Sequence, residues 1–322
     1  MPKSINYMDV GLNHSLAIRG QVYDNHPLAP LTTWKIGGSA QVLAVPRDLD
    51  DLFEVFRQAQ TYEWPLFFLG RGSNLLIADR GLPGITLHLA PTFKELKLEG
   101  DRLRVGAGVS LPRLAHYLAV QGVAGFEFLA GIPGTVGAAV RLNAGTGPGQ
   151  EIGAHLRQVT LVTPRLQLVT LTAAELNLSY RHSRLLNFPH WLVVAAEFYL
   201  DETAPPEKIQ ARISELLRQR QAKSPVNSSN CGSVFKNPPG GRPAGWLIEQ
   251  AGLKGLRYGD AQVSAHHANF IINLGNATAA QVKALIAHIQ ETVGKLFGVT
   301  LEREIVILPD DILAPALTPA IK

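Results

Sequence analysis

Residues 230–240 read NCGSVFKNPPG, placing a thiol, a hydroxyl, an ammonium and a carboxamide between turn residues. Cys231 and Ser233 both carry a proton to give, and Lys236 and Asn237 suit a polar or anionic ligand. A free serine hydroxyl is a very weak acid, so donation from Ser233 needs a strongly basic acceptor and fixed geometry. Nothing in the stretch serves as a nucleophile's partner. It is either an ordinary polar loop or half of a site completed elsewhere. Two other charged residues stand in short polar contexts, Arg181 in SYRHS and Glu304 in LEREI. On spacing alone each of the three has a plain reading. Ser233 is a turn serine, Arg181 a solvated charge after a strand, and Glu304 an edge carboxylate before a buried run. His266 and His267 are adjacent and have no third ligand at useful spacing, so no metal site is expected.

Two glycine-rich segments suggest where an anion could bind. LGRGSNLL (69–76) follows the apolar run PLFFL directly. Gly70 and Gly72 allow backbone conformations closed to other residues, so successive N–H groups can converge on an anion, with Ser73 and Asn74 adding side-chain donors. It is not the dinucleotide fingerprint of a Rossmann fold, because Leu75 stands where a third glycine or alanine belongs. No P-loop motif is present. The second segment, AGIPGTVGAAVRLNAGTG (130–147), carries Gly131, Gly134, Gly137, Gly145 and Gly147. Singly, such turns join strands in any β-rich domain. As a pair they suit a diphosphate held between them.

The elements that must position these residues mix strand and helix throughout, which gives an α+β class. QVLAV (41–45) and PLFFLG (65–70) read as strands, and Leu52, Val55, Phe56 and Ala59 form one face of a helix between them. GITLHL, DRLRVGAG, VTLVTP, LQLVTLT and WLVVAAEFYL make residues 84–203 richer in strands, interrupted by a helix carrying Leu114, Ala115 and Leu118. Pro205 and Pro206 punctuate a boundary. Beyond it, Ile209, Ile213, Leu216 and Leu217 define a helix, NFIINLG a strand, and Val282, Leu285, Ile286, Ile289, Val293 and Leu296 a long amphipathic helix. EIVIL is a final buried strand. These patterns divide the chain into a leader (1–20), two regions at 21–85 and 86–204, and a third at 205–322.

Bulk composition narrows the function classes. The 322 residues are 46% hydrophobic and 17% charged, with a formal charge of +4, which argues for globular domains and against disorder. No Lys/Arg block suits a phosphodiester backbone, so nucleic acid is not an expected partner. The single cysteine rules out an intramolecular disulfide and fits a reducing compartment. No apolar run is long enough for a membrane span, and the first twenty residues lack a signal-peptide core, so a soluble cytoplasmic protein is expected.

Taken together, LGRGSNLL, AGIPGTVGAA with NAG, YRHS, CGSVFKNP, AGWLIEQAGLKG, HANFIIN and LEREI resemble, in order and spacing, the UDP-N-acetylenolpyruvoylglucosamine reductase (MurB) family. The similarity runs from about Thr32 to about Ile307. The resemblance implies a two-domain FAD-binding module of the vanillyl-alcohol-oxidase-like type, followed by a C-terminal α+β substrate-binding domain. It implies that NADPH reduces the FAD, which passes hydride to UDP-N-acetylglucosamine enolpyruvate to give UDP-N-acetylmuramate, a peptidoglycan precursor. A monomer is expected. By motif position, Ser233 resembles the family's proton donor, Arg181 its catalytic arginine and Glu304 its catalytic glutamate. The implied flavin contacts are Gly37, Gly70, Arg71, Gly72, Ser73, Asn74, Gly131, Pro133, Gly134, Thr135, Gly137 and Asn143. Tyr180, Lys236, Asn237 and His267 correspond to substrate contacts. The chain resembles the shorter branch of the family, which lacks a tyrosine-bearing capping loop after YRHS. It departs from the family pattern at Ala138, where glycine is usual, and at Arg141, where a small or apolar residue is common.

The implied chemistry fits the residue types. A carboxylate conjugated to a vinyl ether gains negative charge as hydride arrives, and a planar guanidinium such as Arg181 can fork onto it. Glu304 suits orienting or stabilising the intermediate in its protonated form, which requires a raised pKa. Ser233 then protonates the adjacent carbon, with Cys231 as the second candidate. A flavin oxidase on the same scaffold and a non-catalytic UDP-sugar-binding protein are the alternative readings.

Overall fold

The computed structural model describes residues 16–312, apart from Val226. Most of the leader and the proline-containing tail therefore lie outside the described residues. The first region holds β1 (Gln21–Pro27), β2 (Ser39–Val45), α1 (Leu49–Thr61), β3 (Leu66–Leu69), β4 (Leu75–Ile77) and β5 (Leu82–His88). Four of the strands form a sheet in the order β1-β2-β5-β3. β1 is antiparallel to β2, while β2 and β3 both run parallel to β5. α1 is the crossover between parallel strands. The Asp48 carboxylate accepts the Asp51 amide at 3.2 Å and caps its start, and Leu52, Val55, Phe56 and Ala59 are buried as their spacing predicts.

The second region contains β6 (Leu96–Glu99), β7 (Arg102–Gly106), α2 (Leu111–Val120), α3 (Val136–Leu142), the short pair β8 (Gly145–Gly147) and β9 (Gln150–Glu151), then β10 (Leu156–Val162), β11 (Leu168–Thr172) and β12 (Leu192–Tyr199). Its five-stranded sheet has the order β11-β10-β12-β7-β6, antiparallel throughout. The two regions share apolar packing, since Val162, Leu192 and Val194 join Val55, Phe56 and Leu66 in one buried cluster.

α4 (Pro206–Lys223) follows the double proline. Read from the sequence as opening the third region, it buries Ile209 and Ile213 in the core of the second. The third region proper is α5 (Ala244–Gln250), the antiparallel strands β13 (Arg257–Tyr258), β14 (Ala261–Val263) and β15 (Ile271–Asn273), and α6 (Ala279–Phe297). α6 begins in a Thr278/Gln281 capping box and ends at Gly298, whose φ of 66° is the left-handed stop a glycine allows. Five of its six predicted stripe residues are buried, and Leu296 is solvent-exposed near the end.

The last strand, β16 (Val306–Leu308), leaves the third region and pairs in parallel with β4. Trp34 crosses the other way. Its ring is fully buried in the third core, and its Nε1 donates to the Ile271 carbonyl at 2.9 Å. Asp79 adds a further tie, accepting the Ala279 and Ala280 amides at 2.7 and 3.0 Å at the start of α6. The first and third regions are thereby joined by backbone pairing, core and cap.

Candidate active site

The two glycine segments meet. The Ser73 hydroxyl donates to the Pro133 carbonyl at 2.8 Å. A Cβ on Gly70 would stand 3.1 Å from Thr135 Oγ1, and one on Gly134 would stand 3.4 Å from Ser73 Oγ. Among the described residues, the amides of 71–74 and of Gly134 and Thr135 have no protein acceptor. Apart from the exposed Arg71 these residues are buried or half-buried, and N–H groups left open in this way form an anion cradle. That is the fit a flavin dinucleotide's diphosphate requires.

Beside the cradle lies a cavity of about 480 Å³, lined by Ser73, Asn74, Gly131, Pro133, Gly134, Thr135, Arg181, Cys231, Ser233, His267 and Glu304, among others. Three side chains from distant parts of the sequence, Ser233, Arg181 and Glu304, therefore face one space. Backbone pairing explains how. The Glu304 amide donates to the Val234 carbonyl and the Lys236 amide to the Glu302 carbonyl, both at 2.8 Å, so the 233–236 and 302–304 segments run side by side. Asn269 imitates a strand partner by binding both the amide (3.0 Å) and the carbonyl (2.8 Å) of Phe235. Asn74 ties the first glycine loop to the same place, donating from its carboxamide to the Glu304 carbonyl at 3.0 Å.

Arg181 arrives from the second region on a tight turn closed by two 3.1 Å bonds between Ser179 and His182. Its φ of 52° is left-handed, a conformation costing a non-glycine residue about 1–2 kcal/mol. Its Nε lies 2.5 Å from Glu304 Oε1, and its Nη2 donates to the Gly145 carbonyl at 2.9 Å. Burial pushes the Glu304 carboxyl above the usual range, although Arg181 and, more weakly, Lys236 pull it down. The site can thus hold a proton on a carboxyl beside a fixed cation. Cys231 lines the same space, where burial and then the Glu304 charge push its thiol well up. His267 is held below its ordinary pKa, chiefly by burial, and is neutral at pH 7.

Other expected contacts fall elsewhere. Gly37 (φ 133°) lets the 35–38 turn lie against β4, since a Cβ there would stand 2.7 Å from Ile77 Cβ. Gly137 packs α3 against the residue that follows β7, where a Cβ would lie 2.9 Å from Ala107 Cβ. The neighbouring Ala138 does line the cavity. Asn143 caps α3, donating to the Ser179 carbonyl and accepting the Gly153 amide, both at 3.0 Å. It thus anchors the turn that presents Arg181. Gly70, Arg71 and Gly72 contribute backbone, and Arg71 is exposed. Tyr180, Lys236 and Asn237 lie outside the cavity. The Tyr180 hydroxyl accepts the Asn237 amide at 3.3 Å, and its ring stands 5.2 Å from the Arg181 guanidinium carbon. Lys236 pairs with Glu302 at 2.5 Å, and Asn237 Oδ1 accepts the Ala244 amide at 3.0 Å. Arg141 points away from the cavity and donates to the Trp191 and Phe188 carbonyls, each at 3.2 Å. Sequence reading missed Arg220, Lys223 and Gln219 of α4, which also line the cavity. Only their helical phase beside Leu216 pointed to them.

The chain is similar to known proteins along most of its length. Residues 40–172 match the family described as FAD binding domain. Residues 224–308 match the one described as UDP-N-acetylenolpyruvoylglucosamine reductase, C-terminal domain. A protein of that reductase name from Halalkalibacterium halodurans is 41% identical over 90% of this chain and 95% of its own. Another, from a Synechococcus strain, is 43% identical over 89% and 93%. The crystal structure of the reductase from Thermus caldophilus superposes with a TM-score of 0.75 at 35% identity, covering 91% of this chain and all of that one. The chain belongs to the UDP-N-acetylenolpyruvoylglucosamine reductase family and is, like its relatives, an FAD-dependent oxidoreductase.

Proposed function

We propose that the chain uses NADPH and resident FAD to reduce UDP-N-acetylglucosamine enolpyruvate to UDP-N-acetylmuramate, in the cytoplasm and for peptidoglycan synthesis. The observation that carries this reading is the shared cavity of Ser233, Arg181 and Glu304 beside the open amides of two glycine loops. When bound, FAD supplies the hydride chemistry. The rest falls to the protein. Arg181, fixed by Gly145 and Glu304, turns its guanidinium to the substrate carboxylate and stabilises charge developing there. Glu304, whose carboxyl burial shifts upward, lies beside that charge and, when protonated, donates to it. Ser233 delivers a proton to the carbon next to the carboxylate. Gly232, next to Ser233, has a φ of 84°, which favours glycine, and a Cβ there would meet nothing within 4 Å, so the space beside the hydroxyl is open.

His267 lines this space while Tyr180, Lys236 and Asn237 lie outside it, and all four suit the nucleotide-sugar part of the substrate. The test is spectroscopic. Purified protein loaded with FAD is expected to bleach on anaerobic addition of NADPH and to regain its visible absorption on addition of the enolpyruvyl substrate. Reduced flavin that recovers colour with oxygen but not with that substrate would defeat the reading. The same material, run through a sizing column, checks the expected monomer.

A further inference from the structure

We propose that Arg220 binds the diphosphate of the flavin nucleotide, reaching over the second glycine loop from α4. The inference rests on the FAD reading above and concerns what neutralises the cofactor's charge. Open amides orient an anion but carry no net charge, whereas a dinucleotide's diphosphate carries two negative charges at neutral pH. The cavity is lined by three cationic side chains, Arg181, Arg220 and Lys223. Arg181 is held by Glu304 and Gly145. Lys223 is exposed at the rim. Arg220 is half-buried, and among the described residues its guanidinium forms no hydrogen bond or ion pair. Burial alone lowers its pKa, with no carboxylate acting to restore it.

A guanidinium partly withdrawn from water without a counter-charge is costly, and an anion beside it offsets that cost. Placement favours the flavin diphosphate over that of the UDP-sugar. The Arg220 stem packs on Gly131, where a Cβ would stand 3.2 Å from Arg220 Cδ. Gly131 opens the loop whose Pro133 carbonyl receives Ser73 and whose Gly134 and Thr135 amides face the cradle. α4 is fixed there by Ile209 and Ile213 in the second core. Arg220 therefore belongs to the same packed unit as the loop it covers.

The test titrates flavin-free protein with FAD and, separately, with riboflavin, which has the ring but no phosphate, following flavin fluorescence. Arg220→Met is expected to weaken FAD about 10- to 100-fold, the range of a lost charge-assisted hydrogen bond, and to leave riboflavin unchanged. Arg220→Lys, which keeps the charge and most of the stem, is expected to recover much of the FAD affinity and covers the case of a methionine variant that fails to fold. UDP-N-acetylglucosamine binding to the flavin-loaded variants is expected to match wild type. Unchanged FAD affinity, or equal loss for FAD and riboflavin, would overturn the assignment. Loss confined to the UDP-sugar would assign Arg220 to the substrate's diphosphate instead. Wild-type protein that binds neither flavin would sink the cofactor reading itself, a result distinct from these.

Discussion

The Arg181–Glu304 pair gives the sharpest quantitative prediction. Arg181 Nε stands 2.5 Å from Glu304 Oε1, and the side chains are 19% and 17% exposed. Deleting one partner of a fully buried pair costs about 3–5 kcal/mol, whereas a fully exposed pair is worth about 0–1. This pair lies nearer the buried limit, so Arg181→Met is expected to cost about 2–3 kcal/mol at neutral pH, a fall in melting temperature of roughly 4–6 °C. The loss depends on pH with a definite sign. Burial already raises the Glu304 carboxyl, and Arg181 is the main opposing influence. A carboxyl raised above its unfolded value favours the folded state most at low pH and loses that contribution as pH climbs through the folded pKa. Without Arg181 the carboxyl moves further up and the decline deepens. Urea unfolding of flavin-free protein should therefore show a large deficit at pH 8 and a smaller one at pH 5. The double variant Arg181→Met/Glu304→Gln should fall short of the summed single losses by about 2 kcal/mol. A deficit independent of pH, or strict additivity, would refute the argument.

Ser233→Ala is expected to leave flavin reduction by NADPH nearly intact and to slow reoxidation by the enolpyruvyl substrate by about 100-fold or more; stopped-flow traces with equal losses in both halves would remove Ser233 from the donor role. Gly72 has φ 60°, and a Cβ there would stand 2.7 Å from the Leu31 carbonyl oxygen, so Gly72→Ala should cost about 2 kcal/mol or more and weaken FAD binding. Asp79→Ala removes two bonds of 2.7 and 3.0 Å to the start of α6 and is expected to lower stability by about 1–2 kcal/mol, read as a shifted denaturation midpoint with unchanged flavin affinity. Arg141→Met strips the donors from the Phe188 and Trp191 carbonyls and should cost about 1–2 kcal/mol while FAD binding stays the same. A change in that binding would mean Arg141 reaches the cofactor after all.

Periodicity made most of the fold legible. α1, α6 and the central strands of both large sheets lie where alternation or a 3.6-residue stripe placed them, because burial on one face leaves that imprint on sequence. β1 was not readable. Its residues, QVYDNHP, are nearly all exposed, and Asn25 has a left-handed φ of 48°, so no apolar alternation marks it. The site was legible only through resemblance. Ser233 and Glu304 are brought together by an isolated bridge between Phe235 and Arg303, and Arg181 by a turn anchored through Asn143. Neither contact has a local signature. The resemblance implied Asn143 and Gly137 as flavin contacts; the first anchors the turn that presents Arg181 and the second packs against Ala107. Each serves the backbone behind the cavity, not the cavity itself.

The pairing of β16 with β4 bears on how the protein is made. Val306 donates its amide to the Asn74 carbonyl at 3.0 Å, so a segment translated well after the first glycine loop completes that loop's surroundings. Synthesis proceeds from the N-terminus at about 5–20 residues per second, and upstream units generally fold as they emerge. Here β16 must emerge from the ribosome before that loop gains this anchor. A nascent chain that stops short of the 302–308 segment would carry Arg181 and both glycine loops yet lack both Glu304 and the strand that anchors the first of those loops.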